Sequence, residues 1–186
     1  MGLEIYREKR DFKKSPEPKG KKTKTGKFRF VIQRHEASRL HYDFRLELDG
    51  VLKSWAVPKG PSLNPAERRL AMQTEDHPVE YLDFEGIIPK DNYGAGKMKI
   101  WDTGVFFPVN KDHEKISEKE ALKTLEKGEL KFLMMGKKIA GEFVLVRLKD
   151  EKSWLLIKHR DEYAVTKPYD AEKIKPVRKT KTKNGK

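Results

Sequence analysis

Short runs of strand-forming residues, separated by turn residues, constrain the fold of this chain more than any other feature. They recur at 28–34, 41–48, 52–57, 69–74, 97–101, 130–135, 142–146 and 154–158. Turn signals lie between them, among them Asp49-Gly50 and the segments 58–61 and 94–96. Because consecutive short strands joined by tight turns pair with their neighbours, the pattern favours an antiparallel sandwich or barrel, and we predict a small barrel.

One helix is predicted between the fifth and sixth of these runs. Ser117 precedes Glu120 by three residues, which is the spacing of a capping box, and Ile116 is placed to pack on Ala121. Gly128 is a typical helix end. The chain is therefore expected to be mainly β, with one or two flanking helices of structural role.

The formal net charge of +13 is concentrated at the two ends of the chain. Residues 1–27 contain ten Lys/Arg against four Asp/Glu, and residues 167–186 contain eight against two. We predict a flexible, poorly packed basic arm at 1–27, a barrel domain at 28–166 and a basic, disordered tail at 167–186. Such segments bind polyanions through phosphate contacts, with solubilising disorder as the alternative.

The composition also excludes several kinds of site. The chain has no cysteine, which excludes disulfides, zinc-finger spacing and thiol catalysis, so a metal would be held by His, Asp or Glu. No apolar run reaches the roughly 20 residues that span a bilayer, and the first residues lack the apolar stretch of a signal peptide. We expect a soluble, cytoplasmic protein without a membrane partner.

The segment 41–50 carries the strongest functional signal. In a strand, side chains alternate between faces, so His41, Asp43 and Arg45 share one side while residues 42, 44, 46 and 48 form an apolar side. His35 can join the first set if the intervening residues turn back. Two imidazoles and a carboxylate suit a divalent transition ion, and an arginine beside it suits a phosphate. The alternatives are a surface hydrogen-bonded pair, an ordinary loop histidine and a salt bridge from Arg45 to Glu47 or Glu75.

A second candidate group lies at 77–81. Pro78 disfavours a helical conformation for His77, which places this histidine at a strand end or in a loop. His77 could donate to a phosphate or protonate a leaving group, and Tyr81 could contact the same phosphate. A solvent-exposed loop histidine is the alternative.

Other residues are weaker candidates. Lys59 and Arg69 are lesser candidates for phosphate contact, with a solvated surface charge as the alternative for each. The segment 93–96 is interpreted first as a hairpin turn, although its glycines could form an anion-binding nest. His113 and His159 have no charged neighbours at suitable spacing in the sequence and are left out of the site.

Several strings of residues resemble one known family. They are residues 6–12, 16–18, 30–35, 41–47, 52–61, 75–78, 93–96 and 154–158, which read YREKRDF, PEP, FVIQRH, HYDFRLE, LKSWAVPKGP, EDHP, YGAG and WLLIK. In this order they resemble the 3'-phosphoesterase module of bacterial DNA ligase D. No ligase or polymerase sequence accompanies them, so we expect the free-standing form of the module.

The resemblance implies a small β-barrel that binds manganese, with cobalt or zinc as other possible ions. It implies an enzyme that removes a 3'-terminal ribonucleoside and then the 3'-phosphate, leaving a 3'-hydroxyl in DNA repair by end joining. Its implied metal ligands are His35, His41 and Asp43. The implied scissile-phosphate groups are Arg45, His77 and Tyr81, assisted by Lys59 and Arg69. Positions linked to ribonucleoside removal are Arg10, Asp11, Glu17 and Gln33.

The implied partners are DNA primer-template 3' ends that carry a terminal ribonucleotide or a 3'-phosphate. A DNA ligase and a polymerase of an end-joining pathway are further candidates, and the protein would be associated with the nucleoid. Two other functions stay open. A non-catalytic nucleic-acid-binding adaptor explains the basic ends but not the retained polar constellation, and a small-molecule phosphatase explains the constellation but not the basic ends.

Overall fold

The computed structural model describes residues 2–175 and consists mainly of β-strands. Helix α1 spans Glu4–Glu8 and helix α2 spans Glu118–Lys127. The nine strands, in chain order, are β1 (Arg29–Glu36), β2 (Leu40–Leu48), β3 (Val51–Val57), β4 (Arg69–Gln73), β5 (Gly86–Ile88), β6 (Gly96–Pro108), β7 (Glu129–Met135), β8 (Ala140–Arg147) and β9 (Ser153–Lys158). Short 3-10 helices span Val79–Asp83 and Ala171–Lys173.

The strands form one antiparallel sheet that closes into a barrel. The sheet order is β1-β2-β3-β4-β9-β8-β7-β6-β5, and β1 also pairs with β6. The ring therefore contains every strand except β5, which extends the sheet beyond β6. The predicted barrel is confirmed, and the eight predicted strand runs match eight of the nine strands. The prediction missed the three-residue strand β5 and the second half of β6, which runs seven residues past Trp101.

The barrel interior is filled by the apolar faces of its strands. Tyr42, Phe44, Leu46 and Leu48 belong to this buried cluster, as the alternation in β2 predicts. In the turn between β2 and β3, Asp49 (φ 53°) and Gly50 (φ 73°) both lie in the left-handed region. Two such residues in succession give the tight hairpin turn that the Asp-Gly signal predicts.

Helix α2 is capped as predicted. The Ser117 side chain accepts a hydrogen bond from the Glu120 backbone, and the Glu120 side chain accepts one from the Ser117 backbone. Gly128 adopts a left-handed conformation at the end of the helix. Ala121 and Ile116 both pack with the barrel core, so the helix contributes to structure.

The amino-terminal segment differs from its prediction. Leu3 and Tyr6 are buried, and so are Ser15 and Glu17, so the expectation of a poorly packed arm is wrong for residues 3–17. Tyr6 belongs to a second apolar cluster outside the barrel, with Val31, Leu52, Tyr81, Leu82, Phe84, Ile88 and Met98. The segment packs because one helical turn presents the ring of Tyr6 to this cluster, a pattern too short to produce apolar periodicity.

The carboxy-terminal segment is also partly ordered. Tyr169 and Ala171 are buried with the barrel core, and the Trp101 indole nitrogen donates to the Ala171 carbonyl at 3.0 Å. Glu172 accepts a hydrogen bond from Tyr42. The expected disordered tail is therefore wrong for this first part, and the prediction for 176–186 falls outside the described residues. Within residues 2–175, none of the helices has the length and apolar character needed to cross a membrane.

Candidate active site

The floor of the candidate site is the hairpin formed by β1 and β2. His35 pairs directly with His41, and Gln33 pairs with Asp43, in the antiparallel register. Directly paired residues point to the same face of a sheet, so the turn between the strands brings His35 beside the His41 ring, at a centroid distance of 4.7 Å. The predicted grouping of His35 with the His41 face is confirmed.

Asp43 is the centre of this group. Its carboxylate oxygens lie 3.2 Å from His35 Nδ1, 3.5 Å from His41 Nε2 and 3.3 Å from Arg45 Nη2. Burial by itself would raise the pKa of Asp43, but the charge of Arg45 and the two imidazoles hold it well below its usual value. Asp43 is therefore a carboxylate anion. For His41, burial opposes protonation, but the contact with Asp43 outweighs it and raises the pKa.

The two imidazoles are fixed by backbone carbonyls on their outer sides. His35 Nε2 donates to the Gly94 carbonyl at 2.9 Å, and His41 Nδ1 donates to the Arg39 carbonyl at 3.0 Å. Since a carbonyl can only accept, the neutral form of each ring presents its lone-pair nitrogen to Asp43. The lone pairs of His35 Nδ1 and His41 Nε2 and the Asp43 carboxylate therefore face one another, an arrangement that a cation between them would stabilise.

The donor set fits a divalent transition metal. One ligand atom from each of His35, His41 and Asp43 can be chosen so that all lie within 4.8 Å of one another. Metal-binding histidines usually donate their second ring nitrogen to a carbonyl or carboxylate, as both do here. The structure therefore provides a candidate metal site at the residues that the sequence predicts.

Arg45 extends the floor towards the adjacent wall of the site. Its side chain is 2% exposed, Nε donates to Gln33 Oε1 at 2.8 Å, and the guanidinium lies 4.8 Å from the Tyr81 ring centre. Its Nη1 atom is buried and has no hydrogen-bond partner in the described part of the chain. The salt bridges to Glu47 or Glu75 that the sequence left open are not the ones formed. An unpaired buried guanidinium nitrogen is suited to an anionic oxygen.

His77 and Tyr81 form the wall above Arg45. His77 lies in the loop after β4, as one of the two predicted placements has it, makes an isolated bridge to Leu52 and is buried, so it is not a solvent-exposed histidine. Its Nδ1 donates to the Glu75 carbonyl at 2.9 Å, and Nε2 accepts from Arg10 at 3.1 Å. Burial and the charges of Arg45 and Arg10 lower the pKa of His77 well below its usual value, so the ring is neutral.

The amino-terminal segment closes the site. Arg10 pairs with Glu17 and Glu75, at 2.8 Å each, and its side chain is 4% exposed. Tyr81 donates to Glu17 at 2.6 Å, and burial raises the Tyr81 pKa, so that its hydroxyl keeps its proton. These contacts attach residues 10–17 to the wall, although the sequence separates them by more than 60 positions.

Together these groups surround a cavity of about 240 Å³. Eight of the twelve predicted site residues line it, namely Arg10, Glu17, His35, His41, Asp43, Arg45, His77 and Tyr81. Gln33 lies behind Arg45, and its amide nitrogen donates to the carbonyls of Tyr81 and Phe84. It therefore orients the guanidinium without lining the cavity.

Three predicted residues lie elsewhere. Asp11 is exposed and caps the Lys13 backbone, and Lys59 is exposed in the turn after β3. Arg69 donates to Glu67 and to the Tyr169 carbonyl, both at 2.6 Å. The structure does not bring these three to the cavity, and substrate contact by them stays a prediction.

The structure adds residues that the sequence did not single out for the site. Glu75 anchors Arg10, the Gly94 carbonyl orients His35, and Tyr93 lines the cavity mouth. Gly94 and Tyr93 lie in the loop of the β5–β6 hairpin, which confirms the predicted turn. The glycine-rich string was the available signal, but its contact with His35 is a product of tertiary packing.

Outside the site, His113 and His159 both contact the carboxylate of Glu142. His113 Nδ1 and His159 Nδ1 each lie 2.5 Å from an oxygen of Glu142. The expectation that they lack charged neighbours is wrong. Pairing of β8 with β9 brings His159 to Glu142 across 17 positions, and the loop after β6 brings His113 to it across 29.

Comparison with known proteins identifies one family and several relatives. A family described as the DNA Ligase D 3'-phosphoesterase domain matches residues 33–147. The multifunctional non-homologous end joining protein LigD of Pseudomonas aeruginosa is 51% identical over 165 residues, which is 86% of this chain and 19% of that protein. Its counterpart in Mycolicibacterium smegmatis is 48% identical over 164 residues, 86% of this chain and 21% of that protein.

A third relative has a similar name and a similar coverage of this chain. The multifunctional non-homologous end joining DNA repair protein LigD of Mycobacterium tuberculosis is 46% identical over 155 residues, covering 82% of this chain and 19% of that protein. The chain thus spans about a fifth of the length of the curated relatives it matches. The matched region contains the complete candidate metal group, Arg45, His77 and Tyr81. The chain belongs to the DNA ligase D 3'-phosphoesterase domain family.

Proposed function

We propose that this protein is a manganese-dependent phosphoesterase that heals DNA 3' ends. It removes a 3'-terminal ribonucleoside as a phosphodiesterase and then removes the remaining 3'-phosphate as a phosphomonoesterase, leaving a 3'-hydroxyl. One observation carries the proposal: the unpaired, buried Nη1 of Arg45 shares a cavity with two imidazole lone pairs directed at Asp43. A cation site beside an unpaired guanidinium supports a phosphoryl substrate.

The residues have separate tasks in this proposal. His35, His41 and Asp43 hold the ion, which supplies charge stabilisation for a phosphate oxygen when it is bound. Arg45 binds the phosphate through Nη1, while Gln33 and Asp43 fix the orientation of its guanidinium. Because these groups are buried before substrate arrives, little reorganisation is needed as negative charge develops.

His77 contributes as a neutral acceptor. Its Nδ1 proton is committed to the Glu75 carbonyl, and its Nε2 lone pair holds Arg10. Acting as a general acid would require a second proton, which burial and the two arginines oppose. We infer that His77 positions Arg10 through Nε2, and that Tyr81 stays neutral beside it and donates to Glu17.

We infer the biological partners from the relatives. Their names describe multifunctional proteins of non-homologous end joining, so we place this chain in DNA end joining alongside a ligase and a polymerase. The substrates are primer-template ends with a 3'-ribonucleotide or a 3'-phosphate, found at the nucleoid in the cytoplasm. Manganese is the proposed ion, and cobalt and zinc are the alternatives because mixed imidazole and carboxylate sites also accept them.

The direct test uses a primer-template with a single 3'-terminal ribonucleotide, incubated with manganese or with chelator. We expect successive products ending in 3'-phosphate and 3'-hydroxyl, and no product with chelator. Asp43→Asn should abolish both steps and the thermal stabilisation by manganese, whereas the exposed Asp91→Asn control should preserve both.

Other outcomes would identify the alternatives. DNA binding without manganese-dependent product would favour an adaptor module. Hydrolysis of free nucleotides in preference to primer ends would favour a small-molecule phosphatase. Wild-type activity in Asp43→Asn would remove this residue from the site.

A further inference from the structure

Tyr93 stands at the mouth of the cavity and has no assigned role in the proposed chemistry. It lies in the loop between β5 and β6, lines the cavity and is 48% exposed. The next residue, Gly94, accepts the hydrogen bond from His35 Nε2 at 2.9 Å. The ring is therefore linked to a candidate metal ligand through one peptide unit, which places Tyr93 beside the candidate metal group.

The ring is held by cations. Lys9 Nζ lies 4.6 Å from the ring centre and donates to the Tyr93 hydroxyl at 3.3 Å. The guanidinium carbon of Arg10 lies 5.4 Å from the ring centre. Lys9 is itself fixed by Glu75, at 3.1 Å. Tyr93 is thus 48% exposed to solvent although its ring is anchored.

A second cavity begins on the other side of Tyr93. Its volume is about 490 Å³, and it shares Tyr93, Thr74 and Glu75 with the site cavity. Its lining includes the lysines Lys9, Lys53 and Lys152 and the carboxylates Glu75, Asp76 and Glu151, and Lys9 and Lys53 are paired with Glu75 and Asp76. A strand whose phosphate lies at Arg45 would therefore reach the Tyr93 ring where the two cavities meet.

We propose that Tyr93 is a stacking platform for the nucleobase that flanks the scissile phosphate. The inference rests on the proposed function and identifies the residue that distinguishes a nucleic-acid end from a simple phosphate ester. Exposed aromatic rings flanked by cations bind single-stranded ends by stacking, and loss of one stacked base weakens interaction by about tenfold to a hundredfold. Such stacking tolerates any base, which suits an enzyme that acts on ends of any sequence.

The test combines substitutions of Tyr93 with removal of the base. Tyr93→Ala, Tyr93→Leu and Tyr93→Phe are compared with Tyr163→Ala, a control in which an equally exposed tyrosine (48%) outside both cavities is removed. Substrates are primer-templates with a 3'-phosphate or a 3'-ribonucleotide, each prepared with and without the base on either side of the scissile phosphate. We measure kcat/KM, and DNA affinity by fluorescence anisotropy.

We expect Tyr93→Ala and Tyr93→Leu to lose about tenfold to a hundredfold in kcat/KM on ends that carry bases. Tyr93→Phe should retain most of the activity, and the loss should disappear when the stacked base is absent. The base whose removal abolishes the effect identifies the side on which the ring stacks.

Three results would overturn the proposal. The first is wild-type activity in Tyr93→Ala. The second is an equal loss in Tyr93→Phe and Tyr93→Ala, which would assign the effect to the hydroxyl contact with Lys9. The third is a loss that persists when both flanking bases are absent, which would assign the effect to the loop that carries Gly94. If wild-type protein hydrolyses neither end, the proposed function fails by itself. Anisotropy then decides on stacking, through the same comparison of variants and base-free ends.

Discussion

Replacement of Arg45 by lysine preserves the positive charge and removes the planar fork. A lysine at this position keeps a positive charge near Asp43. It lacks the Nε group that donates to Gln33 at 2.8 Å and the Nη1 group that the structure leaves without a partner. A hydrogen bond between charged groups contributes about 1.5–3 kcal/mol, so loss of one phosphate contact should lower kcat/KM by about tenfold to a hundredfold. The unpaired Gln33 oxygen should lower the free energy of unfolding by about 1–3 kcal/mol.

Single-turnover hydrolysis of a 3'-phosphate end and urea denaturation measure the two effects. Inorganic phosphate should raise the melting temperature of wild-type protein and have a smaller effect on Arg45→Lys. The matched control is Arg29→Lys, because Arg29 pairs with Glu47 at 2.6 Å on neighbouring strands and is 35% exposed. Its activity should remain at the wild-type value. Hydrolysis by Arg45→Lys within twofold of wild type, or an equal loss in the control, would refute this account of the phosphate site.

Three further predictions follow from packing and charge. Tyr6→Ala should lower the free energy of unfolding by about 3 kcal/mol, because Tyr6 is fully buried, whereas Ile5→Ala, at a side chain 40% exposed, should change it by less than about 0.5 kcal/mol in urea denaturation. The pKa of His77 is lowered in the folded state, so the unfolded state takes up a proton at higher pH than the folded state does. The free energy of unfolding should therefore fall as the pH drops below about 6.5, with a slope of at most about 1.4 kcal/mol per pH unit. In chelator-treated protein His77→Asn should flatten that slope, and an unchanged slope would contradict a neutral His77. Removing residues 176–186, which contain five Lys/Arg, should flatten the log-log salt dependence of DNA affinity by about two to three units if three of them touch phosphate, whereas an unchanged slope would exclude them from binding.

The sequence predicted what depends on local periodicity. Alternation along β2 separates the buried Phe44 face from the face that carries His41 and Asp43, because strand geometry repeats every two residues. The Asp49-Gly50 turn and the capping box of α2 were predicted for the same reason, since their geometry depends on residues within a few positions of one another. A resemblance in short strings then indicated which polar residues to consider as one site.

Only the tertiary structure decided what closes and orients that site. Composition alone indicated loose ends, yet Tyr6 and Tyr169 are buried because each fills a space formed by residues far away in the chain. The same holds for Glu75 and Gly94, which act on Arg10 and His35 across 65 and 59 positions. Local patterns contain no information about such distances. The sequence by itself thus determined the strands and the face that carries the metal group, whereas barrel closure and long-range packing decided which groups surround the cavity and which nitrogen of each histidine faces Asp43.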